Sequence, residues 1–190
     1  MARQEKYDEQ NPVVKFVIER VFARLRSVVA ELRPRTALDA GCGEGELLRR
    51  RVLPEGFEPV CLDLRMDSLA DVAAAKRVRG SVLALPFAAG SFDMVTCLEV
   101  LEHLEDPAAA VREIARVSRG AIVLSVPHEP YFQIGNLLRG KHLSFNGNHP
   151  EHVQHWNHRT FEKFLRESLA EVRIIEAFPW IIACCRPKQH

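Results

Sequence analysis

The sequence predicts an α/β fold built on a seven-stranded, mostly parallel sheet with helices on both faces and an antiparallel terminal strand. Short apolar runs typical of buried strands alternate with stretches whose apolar residues recur at helical spacing. Such alternation indicates a parallel sheet made from right-handed crossovers. The last two apolar runs, 172–178 and 180–185, meet at Pro179 and predict a terminal antiparallel hairpin.

Five strands and five helices are predicted ahead of that hairpin. Two helix starts carry clear signals, Asn11 before Pro12 and Asp106 before Pro107, because Asn and Asp cap helices and proline suits the first turn. The predicted strands are 36–40, 59–62, 81–83, 92–98 and 121–126. The predicted helices run from 12 up to Pro34 and over 44–51, 67–77, 107–118 and 160–169.

A length of 190 residues predicts one domain, 1–190, with a single core. Residues 1–35 are predicted to form an N-terminal lid and helix. Tyr7 either covers the cofactor as part of the lid or simply leads into the helix. Residues 127–158 are rich in Pro, Gly, Asn and His, and an irregular segment of this length is usually functional. We therefore expect a substrate-side insertion there, with His128 and Glu129 at its lip.

The charges nearly balance, since 26 Lys and Arg face 25 Asp and Glu. A net charge of +1 gives no electrostatic reason to expect DNA or a membrane as the main partner. No run approaches the roughly 18 apolar residues of a membrane span, and the polar segment 1–8 lacks the apolar stretch of a signal peptide. Five cysteines without a CxxC pair indicate reduced thiols, so a cytoplasmic location is expected.

A glycine loop, Gly41 to Gly45, follows the first predicted strand and opens a helix. Glycines let the backbone turn sharply and approach a ligand closely. Asp63 ends the second strand about 20 residues further on, where an acid usually binds ribose hydroxyls. Asp39 stands just before the glycines; its carboxylate repels a pyrophosphate and suits an ammonium or sulfonium cation. The alternative is a tight turn without a ligand.

These residues resemble motif I of the class I S-adenosylmethionine-dependent methyltransferases of the type 11-like group. The resemblance extends from about 36 to 185 and implies a Rossmann-like fold, an enzyme, and S-adenosylmethionine as cofactor. The stretches that carry it are Leu38 to Gly45, Leu85-Pro86-Phe87 with Gly90-Ser91-Phe92-Asp93, and Glu102-His103-Leu104 with Asp106-Pro107.

The resemblance also implies which residues bind the cofactor. Asp39 and the glycine loop would hold the methionine moiety, Asp63 would bind both ribose hydroxyls, and Leu64 would flank the adenine. Many relatives have an Asp where this chain has Ser81, so Ser81 and the amide of Val82 would contact the adenine here. The implied cofactor-binding residues are Asp39, Gly41, Cys42, Gly43, Asp63, Leu64, Ser81, Val82 and Leu98.

A second polar segment, Glu99 to His103, follows the fourth predicted strand. On a helical turn Glu99, Glu102 and His103 would share one face, because they are three and four residues apart. Two carboxylates and an imidazole can chelate a divalent metal. The alternative is a metal-free polar cleft in which Glu102 and His103 are catalytic, with His103 orienting the substrate or acting as general base.

The segment resembles that of the small-RNA 3′-terminal 2′-O-methyltransferases and of the ubiquinone-pathway O-methyltransferases. This resemblance implies the metal ligands Glu99, Glu102, His103 and His152, and His149 or His155 could replace the last. The metal would be Mn, Mg, Fe, Co or Zn. It would lower the pKa of the acceptor hydroxyl and hold its oxygen in line with the methyl group.

The sequence thus predicts methyl transfer from S-adenosylmethionine to the hydroxyl of a small-molecule acceptor. Methylation of an RNA 3′ end is the first alternative, although the basic surface that RNA requires is weak. A cofactor-binding partner module without catalysis is the second. The acceptor and the oligomeric state are not specified by the residues.

Overall fold

The computed structural model of this protein describes residues 11–65, 76–131 and 153–188. One sheet contains seven strands in the order β3-β2-β1-β4-β5-β7-β6. The strands are β1 Ala37–Ala40, β2 Val60–Asp63, β3 Lys76–Arg79, β4 Phe92–Leu98, β5 Ser118–Pro127, β6 Leu169–Ala177 and β7 Trp180–Pro187. The helices are α1 Pro12–Leu32, α2 Glu46–Arg49, a 3-10 turn Leu101–His103, α3 Pro107–Val117 and α4 His158–Ser168.

Strand β1 is an inner strand of the sheet and pairs in parallel with β2 and β4. Strand β7 lies between β5 and β6 and runs antiparallel to both. The predicted sheet with its terminal hairpin is therefore confirmed. Because β7 is reversed, its first residue, Trp180, pairs with Pro127 at the end of β5. The start of β7 thus lies at the edge where the parallel strands end.

Alternating side chains of the strands supply two cores, one on each face of the sheet. Leu38 and Val95 lie in the cluster that contains Ile114 of α3 and Phe161 of α4. The preceding residues, such as Met94, point to the other face and join a cluster with the buried side of α1. Burial of each such side chain stabilises the fold by roughly 1.5–3 kcal/mol. Helices on both faces follow from this period-two pattern.

Side-chain caps determine where the helices begin. The Asn11 carboxamide accepts hydrogen bonds from the amides of Val13 and Val14, and Asp106 accepts one from Ala109. Helix α4 begins two residues earlier than predicted because Asn157 and Thr160 form a reciprocal capping box. Within the described ranges, no helix combines the length and the apolar character that crossing a membrane requires.

The prediction for the third strand was wrong. The strand is Lys76–Arg79, and the predicted strand 81–83 contains only an isolated bridge between Ser81 and Ala84. The predicted helix 67–77 overruns the start of this strand, and its earlier part lies outside the described residues. The strand is at the edge of the sheet and is mostly charged. Charges at an edge discourage pairing with other chains, and they also remove the apolar pattern by which strands are predicted.

Candidate active site

The glycine loop turns tightly at the end of β1. The amides of Gly41 and Cys42 both donate to the carbonyl oxygen of Leu62, at 2.7 and 3.0 Å. Gly41 has φ of +79°, and a Cβ there would lie 2.5 Å from Val100 Cγ2. A side chain at Gly41 is thus excluded by both backbone conformation and space. The loop is held between β2 and the segment that follows β4.

The acid at the end of β2 contacts the glycine loop directly. Gly43 donates its amide hydrogen to Asp63 Oδ2, and Arg65 donates its own to Oδ1, both at 2.9 Å. Gly43 also has positive φ, but a Cβ built there meets no atom of the described residues within 4 Å. The loop and the acid therefore lie together, as the sequence predicts, and the described residues leave the space beside Gly43 open.

Asp39 is buried at the end of β1 and accepts a hydrogen bond from the Thr96 hydroxyl at 2.8 Å. Burial raises the pKa of this carboxyl to about 7; the Thr96 hydrogen bond opposes the rise and the negative charge of Asp63 adds to it. A cation bound nearby would favour the ionised carboxylate. The site therefore fits the ammonium group of an amino acid moiety.

The residues expected around the adenine lie on the β2–β3 side of this edge. The Gly80 amide donates to the carbonyl oxygen of Asp63 at 3.0 Å, which brings Ser81 close to the end of β2. Leu64 is largely exposed, whereas Val82 belongs to the core. The Ser81 hydroxyl accepts a hydrogen bond from Leu83. An exposed apolar side chain beside Asp63 suits one face of a planar base.

Two further residues assigned to the cofactor differ in their surroundings. Cys42 is buried in the loop and packs with Cys61 of β2. Leu98 is the last residue of β4 and is partly buried against the cluster on the α1 side of the sheet. Cys42 therefore anchors the glycine loop to β2. Leu98 lies at the carboxyl edge of the sheet, where ligands bind in open α/β folds.

Glu102 and His103 lie in the 3-10 turn after β4. Glu102 is only 1% exposed, and its Oε1 lies 3.8 Å from His103 Nε2. The carbonyl oxygen of Glu102 accepts hydrogen bonds from the amides of Val153 and Gln154, at 2.8 and 3.1 Å. The turn is therefore bonded to Val153 and Gln154, at the start of the last described range. His103 is partly exposed, as a residue in contact with substrate must be.

The helical turn that the sequence predicts over Glu99 to His103 does not include Glu99. Glu99 has φ of +56° and lies before the turn begins. Its Oε1 accepts a hydrogen bond from the Ser125 hydroxyl at 2.7 Å, and its Oε2 accepts one from the indole N–H of Trp180. The carboxylate thus points toward β5 and β7.

The predicted metal site receives no support from the described part of the chain. Residues 11–65, 76–131 and 153–188 contain no group of three or more His, Cys, Asp or Glu side chains that could hold a metal ion. His152 and His149 lie outside the described residues, as does Tyr7, so the complete ligand set stays a prediction. His155, the other substitute, lies 3.9 Å from Glu129.

An aromatic cluster at the end of β5 was only partly predicted. His128 stacks on His158 with ring centroids 4.2 Å apart and meets Tyr131 edge to face at 4.9 Å. Tyr131 in turn contacts Phe178 at 5.6 Å. His128 was predicted to lie at the lip of the site, whereas no role was predicted for Tyr131 or Phe178. The available signal was position: Tyr131 lies four residues after the end of β5, and Phe178 directly follows β6.

Comparison with known proteins agrees with this geometry. Residues 38–124 match the family described as a methyltransferase domain. The ubiquinone biosynthesis O-methyltransferase of Xanthomonas axonopodis pv. citri is 38% identical over 115 residues, covering 54% of this chain and 48% of the relative. The demethylmenaquinone methyltransferase of Staphylococcus aureus strain JH9 is 30% identical over 153 residues, covering 74% of this chain and 64% of the relative.

Among solved structures, the magnesium protoporphyrin IX methyltransferase of Synechocystis with bound S-adenosylhomocysteine superposes with a TM-score of 0.68. It is 17% identical and covers 94% of this chain and 88% of its own. At that identity the likeness shows the fold alone.

The strand order and the glycine loop agree with the match of residues 38–124 to the methyltransferase domain family. The class of protein that this chain resembles is therefore the class I S-adenosylmethionine-dependent methyltransferases. The chain spans about half the length of the first curated relative, 48%.

Proposed function

We propose that this protein transfers the methyl group of S-adenosylmethionine to a hydroxyl oxygen of a small-molecule acceptor. The observation that carries the proposal is the joined arrangement of Asp39, the glycine loop and Asp63 at the carboxyl edge of the sheet. When bound, the cofactor supplies a methyl group activated by a sulfonium. The name of the Xanthomonas relative, which specifies an O-methyltransferase, supports oxygen as the methylated atom.

Asp39 and Asp63 would each bind a different part of the cofactor. Asp39 is buried beside the loop, so its ionised form would pair with the ammonium group of the methionine moiety. Asp63 already accepts hydrogen bonds from two amides, and each carboxylate oxygen has a further lone pair for a ribose hydroxyl. Gly43 would let the cofactor approach the backbone, because its α-carbon faces open space.

His103 is the proposed catalytic residue on the acceptor side. As the acceptor oxygen bonds to the methyl carbon and the carbon–sulfur bond breaks, the hydroxyl proton must leave. A neutral imidazole accepts such a proton near pH 7. The buried carboxylate of Glu102 lies 3.8 Å from His103 Nε2 and would stabilise the imidazolium that forms. Metal assistance and RNA acceptors are not part of this proposal.

The test is a methyl-transfer assay with S-adenosylmethionine labelled in the methyl group. Catechol, a primary amine and a short single-stranded RNA are offered as acceptors, and mass spectrometry locates the label. We expect transfer to a catechol oxygen, with kcat lowered about 10²–10⁴-fold in His103→Ala. The matched control is Glu105→Gln, which alters an exposed carboxylate beside the same turn and should leave kcat unchanged.

Other results would replace the proposal. Label on the 3′ end of the RNA would identify the RNA alternative. Tight binding of S-adenosylhomocysteine without label on any acceptor would favour the non-catalytic partner module. Label on the amine alone would assign a different acceptor atom to the same site.

A further inference from the structure

Glu99 joins three strands at the carboxyl edge of the sheet. It follows the last residue of β4, its amide donates to the carbonyl oxygen of Ser125 at 3.2 Å, and its carboxylate binds the Ser125 hydroxyl and the Trp180 indole. Ser125 belongs to β5, and Trp180 begins β7. One side chain therefore fixes the ends of β4, β5 and β7 relative to one another.

The backbone at Glu99 adds a second observation. With φ of +56°, the residue occupies the left-handed region, which a non-glycine residue rarely adopts. Such a conformation persists where the surroundings over-determine it, and functional sites are a common place for it. At Glu99 this conformation accompanies a carboxylate that accepts hydrogen bonds from Ser125 and Trp180.

From this geometry we infer that Glu99 is a positioning residue for the acceptor: through Trp180 it holds the aromatic wall on which the acceptor binds. The aromatic wall is defined as His128, Tyr131 and Phe178. The inference rests on the proposed function, since it assigns the acceptor to the side of the cleft that these residues form. It also replaces the metal-ligating role that the sequence predicts for Glu99.

Backbone and ring contacts connect Trp180 to the aromatic wall. Trp180 pairs with Pro127 across β5 and β7, and the carbonyl oxygen of the neighbouring Pro179 accepts a hydrogen bond from the backbone amide of His128 at 2.9 Å. Phe178 precedes that proline and contacts Tyr131. A shift of Trp180 would therefore move the turn that holds all three rings.

The wall has the surface of a binding site for a flat apolar group. Tyr131 and Phe178 are 49% and 61% exposed although each contacts another ring. Exposed aromatic rings offer large contact areas with little rotational freedom to lose. They lie at the edge where β5 ends, which is also the edge that carries Asp39, Asp63 and Glu99.

The nature of the Glu99 side chain makes the contact specific. An indole N–H can only donate and a carboxylate can only accept, so the pair fixes the rotation of the Trp180 ring. A carboxylate has two acceptor oxygens, one for Ser125 and one for Trp180. Glutamine keeps one acceptor, and alanine keeps none. The three residues thus form a graded series of variants.

Fluorescence of Trp180 tests the contact without any acceptor. The chain has two tryptophans, so a Trp156→Phe background leaves only Trp180 to report. We expect Glu99→Ala to raise the acrylamide quenching constant of Trp180 about twofold or more, with an intermediate value for Glu99→Gln. Quenching that is unchanged in Glu99→Ala would overturn the inference.

Glu171→Ala is the matched control. Glu171 is also a glutamate with left-handed backbone, φ of +49°, and its carboxylate pairs with Arg186 on the exposed surface at 2.8 Å. Removing it deletes the same chemical group from the same backbone conformation, far from Trp180 along β6 and β7. We expect wild-type quenching in this variant; an equal rise in both variants would show a general loosening of the hairpin and overturn the inference.

Kinetics then separate positioning from catalysis. With catechol as acceptor, Glu99→Ala should raise KM for catechol about tenfold, change kcat less than about threefold, and leave the Kd of S-adenosylhomocysteine unchanged. A large fall in kcat at unchanged KM, reversed by excess Mn²⁺, would assign Glu99 to a metal and contradict the inference. If catechol is not methylated, the proposed function fails for that acceptor, and the quenching result still decides the role of Glu99.

Discussion

Gly43 donates its amide hydrogen to Asp63 Oδ2 at 2.9 Å, so the glycine loop after β1 and the acid at the end of β2 are bonded to each other. The two residues are 20 positions apart in the chain. Because β1 and β2 are parallel neighbours, both strand ends reach the same edge. The bond orients the Asp63 carboxylate before any ligand arrives, which reduces the ordering that binding requires.

Substitution of two glycines should separate folding from cofactor binding. Gly41→Ala should lower the free energy of unfolding by more than Gly43→Ala, because only at Gly41 does a Cβ collide, at 2.5 Å from Val100. Both variants carry the strain of positive φ, about 1–2 kcal/mol. Gly43→Ala should retain the fold but bind S-adenosylhomocysteine more weakly, since its Cβ enters the proposed cofactor space. Urea unfolding and calorimetry measure the two effects; a larger loss of stability in Gly43→Ala would contradict the geometry.

The buried carboxyl of Asp39 should make stability depend on pH. Burial raises its pKa from 3.8 to about 7, so the native state holds a proton that the unfolded chain has already lost. The free energy of unfolding therefore falls as pH rises between about 4 and 7. Between pH 5 and pH 8 we expect a loss of about 2.5 kcal/mol in wild type that is absent in Asp39→Asn.

Glu58→Gln, which changes an exposed carboxylate just before β2, is the control for that comparison and should follow the wild-type curve. If the free energy of unfolding changes with pH equally in wild type and Asp39→Asn between pH 5 and pH 8, Asp39 is ionised over that whole range and the prediction is wrong.

Asp93 should contribute stability with the opposite sign of pH dependence. The Arg119 guanidinium lowers the pKa of Asp93 to about 2; partial burial opposes this, and the amides of Arg35 and Thr36 assist. The stabilisation is complete above the unfolded pKa of 3.8 and is lost as pH falls toward 2. At pH 7 Asp93→Asn should lower the free energy of unfolding by about 1–2 kcal/mol, with allowance for solvent screening.

Urea unfolding at pH values from 7 down to 2.5 checks this prediction. The difference in free energy of unfolding between wild type and Asp93→Asn should shrink at the acidic end. Glu31→Gln serves for comparison, because its pair with Arg173 is exposed and should contribute less than about 1 kcal/mol. A deficit that stays constant with pH would mean that the Asp93 charge is not what stabilises this end of β4.

Strands with apolar side chains were predictable from the sequence, and the charged edge strand was not. Strand β4 has the predicted bounds, Phe92–Leu98, because five of its seven residues are apolar and the turn residues Gly90 and Ser91 precede it. Strand β3 contains Lys76, Arg77 and Arg79 and derives its structure from backbone pairing with β2. Backbone pairing leaves no trace in the hydrophobic pattern, so the strand was placed five residues too late.

The cofactor side of the candidate site was predictable because its residues are fixed by strand ends. Asp39 lies one residue before the end of β1 and Asp63 ends the neighbouring β2, so their presence at the same edge follows from the topology. The acceptor side was not predictable in the same way. The contact of Glu99 with Trp180 joins residues that are 81 positions apart and depends on a left-handed backbone at Glu99. Helical spacing from Glu99 to His103 predicted one helical turn, and the left-handed backbone at Glu99 excludes that residue from it.

A calorimetric titration of S-adenosylhomocysteine into wild type and Asp63→Ala tests the central claim most directly, with Glu58→Gln, an exposed carboxylate just before the same strand, as the control. We expect one site per chain in wild type and in the control, and affinity at least about tenfold weaker in Asp63→Ala, because hydrogen bonds from ribose hydroxyls to a charged acceptor contribute about 1.5–3 kcal/mol. Equal affinity in wild type and Asp63→Ala, or no heat in wild type, would contradict a cofactor site at the edge formed by Asp39, Gly43 and Asp63.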